Sequence, residues 1–92
     1  MKDTRQIEQM EKLFKLLANN HRLAIIKLLK KETDLPVWYI GDKIGSSLKS
    51  TSKHLRILFE EGIIERDQNL NEAVYFLSRK NSRLLRYIIK QL

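Results

Sequence analysis

Apolar residues recur at helical spacing through the first part of the chain. Ile7, Met10, Phe14 and Leu17 are separated by three, four and three positions, the period of an amphipathic helix ending near Ala18. Asp3, three residues before Gln6, is a weak capping-box signal for its start. Asn19 and Asn20 break the pattern, and an Asn there can cap a second helix. Leu23, Ile25, Ile26, Leu28 and Leu29 make that second helix apolar over more than half its circumference, which predicts a place in the middle of the core. It runs out in Lys30-Lys31-Glu32, with cations suited to a helix C-terminus.

Pro36 opens a short third helix, Val37 to Ile44, since proline fits the first helical turn, and Gly45 closes it. Ser46 and Ser47 offer an N-cap for a fourth helix that runs to Glu61 and stops at Gly62. Ile63 to Arg66 predicts a strand and Asp67 to Asn71 a turn rich in Asn and Asp. Ala73 to Leu77, β-branched and aromatic, predicts a second strand. Ser78 or Asn81 caps the last helix, whose apolar positions are Leu84, Leu85, Ile88, Ile89 and Leu92. The predicted fold is mainly α with a two-stranded β hairpin, in the order α-α-α-α-β-β-α. Helices three and four, joined by a short turn at Gly45, form a helix-turn-helix, and the hairpin behind them is a wing. No linker, repeat or composition shift divides the 92 residues, so a single domain spanning 1–92 is expected.

Charge narrows the partner. Eighteen Lys and Arg against eleven Asp and Glu leave +7, which favours nucleic acid first and an acidic membrane surface second. Two stretches hold no acid: Ser46 to Phe59, with Lys49, Lys53 and Arg56, and Leu77 to Leu92, with Arg79, Lys80, Arg83, Arg86 and Lys90. A charge run is often only a solvated face, so its place on the helix decides. On a wheel drawn from Ser47, Leu48, Thr51, Leu55, Leu58, Phe59 and Gly62 fall in one arc of about 100°, which is expected to face the core. Lys49, Lys53, Arg56 and Glu60 lie opposite. Ser50 sits beside Lys49 and Lys53, Ser52 on the flank, and Ile57 outward, where the wing could cover it. Small hydroxyls and cations on the first two turns suit a major groove about 12 Å wide.

Other chemistry is sparse. With no cysteine there is no disulfide, thiolate metal site or cysteine nucleophile. No P-loop, G-x-G-x-x-G, G-x-S-x-G or H-E-x-x-H is present, and an enzyme is not expected. The longest apolar run, Ala73 to Leu77, is five residues, too short for a membrane span, so a cytoplasmic protein is expected. His21 and His54 read as structural, and Trp38, Tyr39 and Tyr75 as core. Arg22 either touches a phosphate or pairs with a nearby acid. The first helix carries more apolar residues than one buried face needs, which points to a dimer seam with the last helix.

The stretch from Leu13 to Leu77, about two thirds of the chain, resembles the ArsR/SmtB family of winged-helix transcriptional regulators. Leu17-Ala18-Asn19-Asn20-His21-Arg22-Leu23 is similar to the family's L-A-D-P-T-R-L. Gly45-Ser46-Ser47-Leu48-Lys49-Ser50-Thr51-Ser52-Lys53-His54-Leu55 is similar to its G-L-S-Q-S-T-V-S-H-H-L. Arg56-Ile57-Leu58 and then Glu61-Gly62-Ile63-Ile64 match its exit into the wing. The resemblance implies a dimer through the first and last helices. It also implies DNA contacts by Lys49, Ser50, Ser52 and Lys53, with Leu48 where a base-reading Gln often stands. Metal-sensing members carry E-L-C-V-C-D-L on the third helix; here the register reads Asp34-Leu35-Pro36-Val37-Trp38-Tyr39-Ile40, with both thiolates gone. The last helix also lacks the His and carboxylates of the family's other metal site. The wing tip departs too, with Asp67 and Glu72 in place of Gly and Arg, leaving Arg66, Asn69 and Asn71 for weak contact.

The expectation is a sequence-specific regulator of double-stranded DNA, a repressor, with Ser47 to Glu61 in the major groove. Its contacts would be Ser47, Lys49, Ser50, Ser52, Lys53 and Arg56, with Arg66, Asn69 and Asn71 from the wing. No metal or other cofactor and no membrane partner is expected; a homodimer is, and the sequence names no small-molecule effector. The alternatives are a winged-helix protein-interaction module without DNA binding and, behind it, a protein that lies on acidic lipid.

Overall fold

Helix α1 (Arg5–Leu17) gives way to α2 (Asn20–Lys31) at Asn19, whose side chain accepts the Arg22 N–H at 3.0 Å and caps α2. The computed structural model describes residues 4–69 and 71–92. Asp3, and with it the capping-box reading, lies outside the described residues, as does the side chain of Asn69. As its composition predicts, α2 runs through the core. Ile25 and Ile26 are fully buried and Leu29 nearly so. They belong to one cluster with Leu16 and Leu17 of α1, Ile40 of α3 (Val37–Ile44), Leu55 and Leu58 of α4 (Leu48–Glu60), and Leu85 and Ile89 of α5 (Arg83–Lys90). Each such side chain contributes roughly 1.5–3 kcal/mol by leaving water.

The sheet has three strands, not two. β1 (Leu35–Pro36), β2 (Ile64–Asn69) and β3 (Glu72–Leu77) lie antiparallel in the order β1-β3-β2. Leu35 stands opposite Tyr75 and Pro36 opposite Val74. Proline is tolerated because β1 is an edge strand. Asp34 takes a left-handed conformation, φ 61°, in turning the chain from α2 into β1, and Asp is among the few side chains suited to it. Pro36 is therefore the N-cap residue of α3, extended at ψ 161°, and not a residue of its first turn.

Three further expectations are corrected. Asp67, Gln68 and Asn69 are strand and not turn, paired with Val74, Ala73 and Glu72. Ladder hydrogen bonds to β3 outweigh their turn propensity. Ser82, not Ser78 or Asn81, caps α5, accepting the Leu85 N–H at 3.2 Å. Ser78 Oγ instead accepts the Lys80 N–H, and Asn81 Nδ2 donates to the carbonyls of Ile63 and Ser78, each at 3.1 Å, which ties the β3–α5 turn to the start of the wing. On α4, Thr51, Leu55 and Leu58 are buried as the helical arc requires, but Leu48 is 59% and Phe59 43% exposed. Both lie at an end of the helix.

The molecule measures 49 × 23 × 22 Å. Helix α1 is exposed along residues 5–12. It presents Ile7, Met10 and Phe14 to solvent, and α5 presents Leu84 and Tyr87.

Candidate nucleic-acid interface

Three residues, Gly45 to Ser47, turn the chain from α3 into α4. Gly45 is left-handed at φ 69°, where a Cβ would be strained, and closes α3 as a glycine there should. The Ser46 N–H donates to the Gly41 carbonyl at 2.9 Å. Ser47 is the N-cap of α4, its Oγ accepting the Ser50 N–H at 3.1 Å. The two helices meet closely at Gly41, where a Cβ would fall 3.0 Å from Thr51 Oγ1 and 3.1 Å from the Ser46 carbonyl. Thr51 Oγ1 and Ser46 Oγ are buried there without a hydrogen-bond partner.

This packing turns the other side of α4 outward. Ser47, Lys49, Ser50, Ser52, Lys53 and Arg56 together line one shallow depression. These are the six positions singled out on this helix from the sequence. Neither Lys49, Lys53 nor Arg56 has an ion-pair partner among the described residues. The acids that follow along the chain, Glu60 and Glu61, lie at the far end of α4, and Glu61 is paired with Lys12 of α1 at 3.1 Å. The depression is thus lined by cations and hydroxyls, at the positive end of a helix dipole.

The wing residues stand apart from this cluster. Arg66 lies over the Phe59 ring, 5.7 Å from its centre, near the C-terminal end of α4 and roughly 18 Å along the helix from Ser47. Asn71 is exposed at the hairpin tip. Ile57 is half-buried against the core.

Arg22 is not paired with an acid among the described residues. Its Nε donates to the Leu16 carbonyl at 2.6 Å and its Nη2 to the Lys15 carbonyl at 3.5 Å, at the C-terminal end of α1. Its Nη1 is 3.2 Å from Nδ1 of His54. The His54 ring packs edge-on to His21 at 5.6 Å between centres. Burial, and then the charge of Arg22, pushes the His54 imidazolium below its usual range, with His21 and Lys53 adding to the effect. No local signal could have revealed the contact, since its partners are 32 residues apart. Trp38 is 61% exposed and not core; its indole N–H donates to Glu72 Oε1 at 3.1 Å. Tyr39 is half-buried and donates its hydroxyl to Glu32 Oε1 at 2.7 Å.

No family model matches the chain. Among curated proteins it is 33% identical over 72 residues to the cadmium resistance transcriptional regulatory protein CadC of Listeria innocua, and equally to that of Lactococcus lactis. The match covers 78% of this chain and 59% of those proteins, so the chain spans less than two thirds of their length. The crystal structure of a predicted DNA-binding transcriptional regulator from E. coli superimposes with a TM-score of 0.79 at 26% identity, covering 94% of this chain and 87% of that one. The homodimeric winged helix-turn-helix DNA-binding domain of Mb0332 from Mycobacterium bovis, a possible ArsR-family regulator, gives the same TM-score at 24% identity. That likeness, covering 99% of this chain and 85% of that one, is of fold. The fold is that of the winged helix-turn-helix. Against the metal-sensing pattern that the sequence resembles, the chain departs at the third helix, where Pro36 caps and Trp38 points outward. Neither offers a thiolate, and among the described residues no three His, Asp or Glu side chains are grouped to hold a metal. Among them, too, no helix is long and apolar enough to cross a membrane.

Proposed function

We propose that the chain is a sequence-specific, double-stranded-DNA-binding transcriptional regulator, a repressor, that lays α4 in the major groove. The observation that carries this reading is the α4 depression: six side chains, all hydroxyl or cationic, unpaired by any acid, on the exposed side of the second helix of a helix-turn-helix. An α-helix with its side chains is about 10–12 Å across and fits a groove about 12 Å wide. Serines let the backbone approach closely, and Lys49, Lys53 and Arg56 reach phosphates or guanine acceptors. Ser47 serves first as the cap, its hydroxyl hydrogen remaining free to donate. Arg66, Asn69 and Asn71 on the wing add weaker contacts.

The regulator works as a homodimer through α1 and α5, in the cytoplasm, where its DNA is. Exposed Ile7, Met10 and Phe14 on α1, with Leu84 and Tyr87 on α5, supply the apolar surface for that seam. A two-fold dimer sets the two α4 helices about 34–36 Å apart and requires a near-palindromic site. No metal effector is included, because the chain lacks thiolates. Selection of bound duplexes from a randomised pool tests the reading. An inverted repeat with half-sites one helical turn apart is expected; failure to retain any duplex, even at low salt, would reduce the chain to a protein-interaction module.

A further inference from the structure

A second surface has a composition of its own. Ala24, Lys27, Leu28 and Lys31 of α2 and Lys43 and Ile44 of α3 line a groove of about 380 Å³. None of these residues belongs to the α4 depression. The floor is apolar, since Leu28 and Ile44 are half-buried and pack on the core. The rim is three lysines, Lys27 and Lys31 one helical turn apart and Lys43 across from them on α3. None of the three has an ion-pair partner among the described residues. The Lys43 ammonium rests 5.3 Å from the centre of the Tyr39 ring. No carboxylate lines the groove, and Glu32, next along α2, accepts the Tyr39 hydroxyl.

We infer that this groove binds a small amphipathic carboxylate, its apolar body on Ala24, Leu28 and Ile44 and its carboxylate among Lys27, Lys31 and Lys43. Three lysines and no carboxylate line one opening, so an anion seated on its floor is attracted by all three. The apolar floor separates this site from one built for a nucleic-acid backbone, which presents phosphates and sugars to a protein and has no use for Leu28 or Ile44. The groove is shallow and open, so it suits a medium-length acyl chain or an aromatic acid lying along its floor. Ile44 is the last residue of α3 and runs directly into the Gly45–Ser47 turn that sets α4. An occupant would therefore touch the residue before that turn; any effect on DNA affinity rests on the proposed function, but the binding itself does not.

Titration of the isotopically labelled full chain with decanoate, followed by backbone amide shifts, tests this. Saturable shifts are expected at Lys27, Leu28, Lys31, Lys43 and Ile44. Lys31→Glu and Lys43→Glu, both at exposed positions and checked for folding by circular dichroism, should each weaken decanoate binding by about tenfold, the loss of one charge contact of ~1.4 kcal/mol. Acetate and inorganic phosphate, which lack the apolar body, should bind more weakly than decanoate by at least that factor. The inference is overturned if no shifts saturate, if they fall on Ile7, Met10 and Phe14 instead, or if acetate or phosphate binds as well as decanoate. It is also overturned if both lysine reversals leave decanoate affinity unchanged while weakening duplex DNA, which would assign the lysines to the DNA backbone. Saturable decanoate binding by a chain that retains no duplex would uphold this site and remove the proposed function.

Discussion

Arg22 and His54 meet with 3.2 Å between Nη1 and Nδ1, and the contact joins three helices at one point. Arg22 is on α2, the carbonyls it caps are on α1, and His54 is on α4. A guanidinium is always a donor, so Nδ1 of His54 must accept and its proton must sit on Nε2. The helix proposed to form the dimer seam is thereby tied to the helix proposed to enter the groove.

Replacing Arg22 with Ala should destabilise the fold by about 1–3 kcal/mol, because partly buried, charge-assisted hydrogen bonds are lost and the Leu16 carbonyl is left without its donor. Urea unfolding measures this. Arg22→Lys should recover only part of the loss, since an ammonium cannot reproduce the fork that reaches both the α1 carbonyls and His54.

Stability should decline on acidification below pH 6.5. His54 holds its proton less readily in the folded chain than its ordinary value of 6.5, because burial and then Arg22, His21 and Lys53 oppose its charge. The unfolded chain therefore binds more protons as pH falls through 6.5, and the stability present above that value is lost until the folded-state value is passed. Unfolding free energies at a series of pH values should show this slope, and His54→Gln should flatten it.

Gly41→Ala should destabilise the helix-turn-helix by about 1–3 kcal/mol through overpacking, since the new Cβ would press on Thr51 Oγ1 at 3.0 Å and the Ser46 carbonyl at 3.1 Å. Thr51→Ala in the same chain removes one of the two crowding atoms and should restore part of the loss, as read from the midpoint of urea unfolding.

Phe14→Glu should yield a folded monomer. Phe14 is 52% exposed on α1, so its replacement costs the single chain little, yet it places a charge in the proposed seam. Analytical ultracentrifugation of the wild type at micromolar concentration should give a dimer. A dimer of unchanged affinity in the variant would move the interface elsewhere.

The helices and their caps were legible because the signals are local. Asn19, Gly45 and Ser47 each act within a few residues of where they stand, and the six positions lining the α4 depression follow from a wheel once Thr51, Leu55 and Leu58 are placed inward. Features built from distant pairings were not legible. β1 is two residues long, contains Pro36 and exists only because Tyr75 and Val74 lie beside it. Arg22 offered an acid as an obvious partner and instead meets two α1 carbonyls and His54. Trp38 looks like core by residue type, but its ring stands outside because Glu72, across on β3, holds its N–H. Leu48 and Phe59 follow the apolar arc in the sequence but stand at the two ends of α4 and are exposed.

The central claim is that the polar face of α4 enters DNA, and Lys53→Glu tests it most directly. Fluorescence anisotropy on a duplex selected from a random pool should show tight binding by the wild-type chain. Its log affinity should fall against log salt with a slope of about −0.9 per phosphate neutralised. The variant, with an unchanged circular dichroism spectrum, should lose that binding. A folded Lys53→Glu chain that held the same duplex with the same affinity and salt dependence would contradict the account.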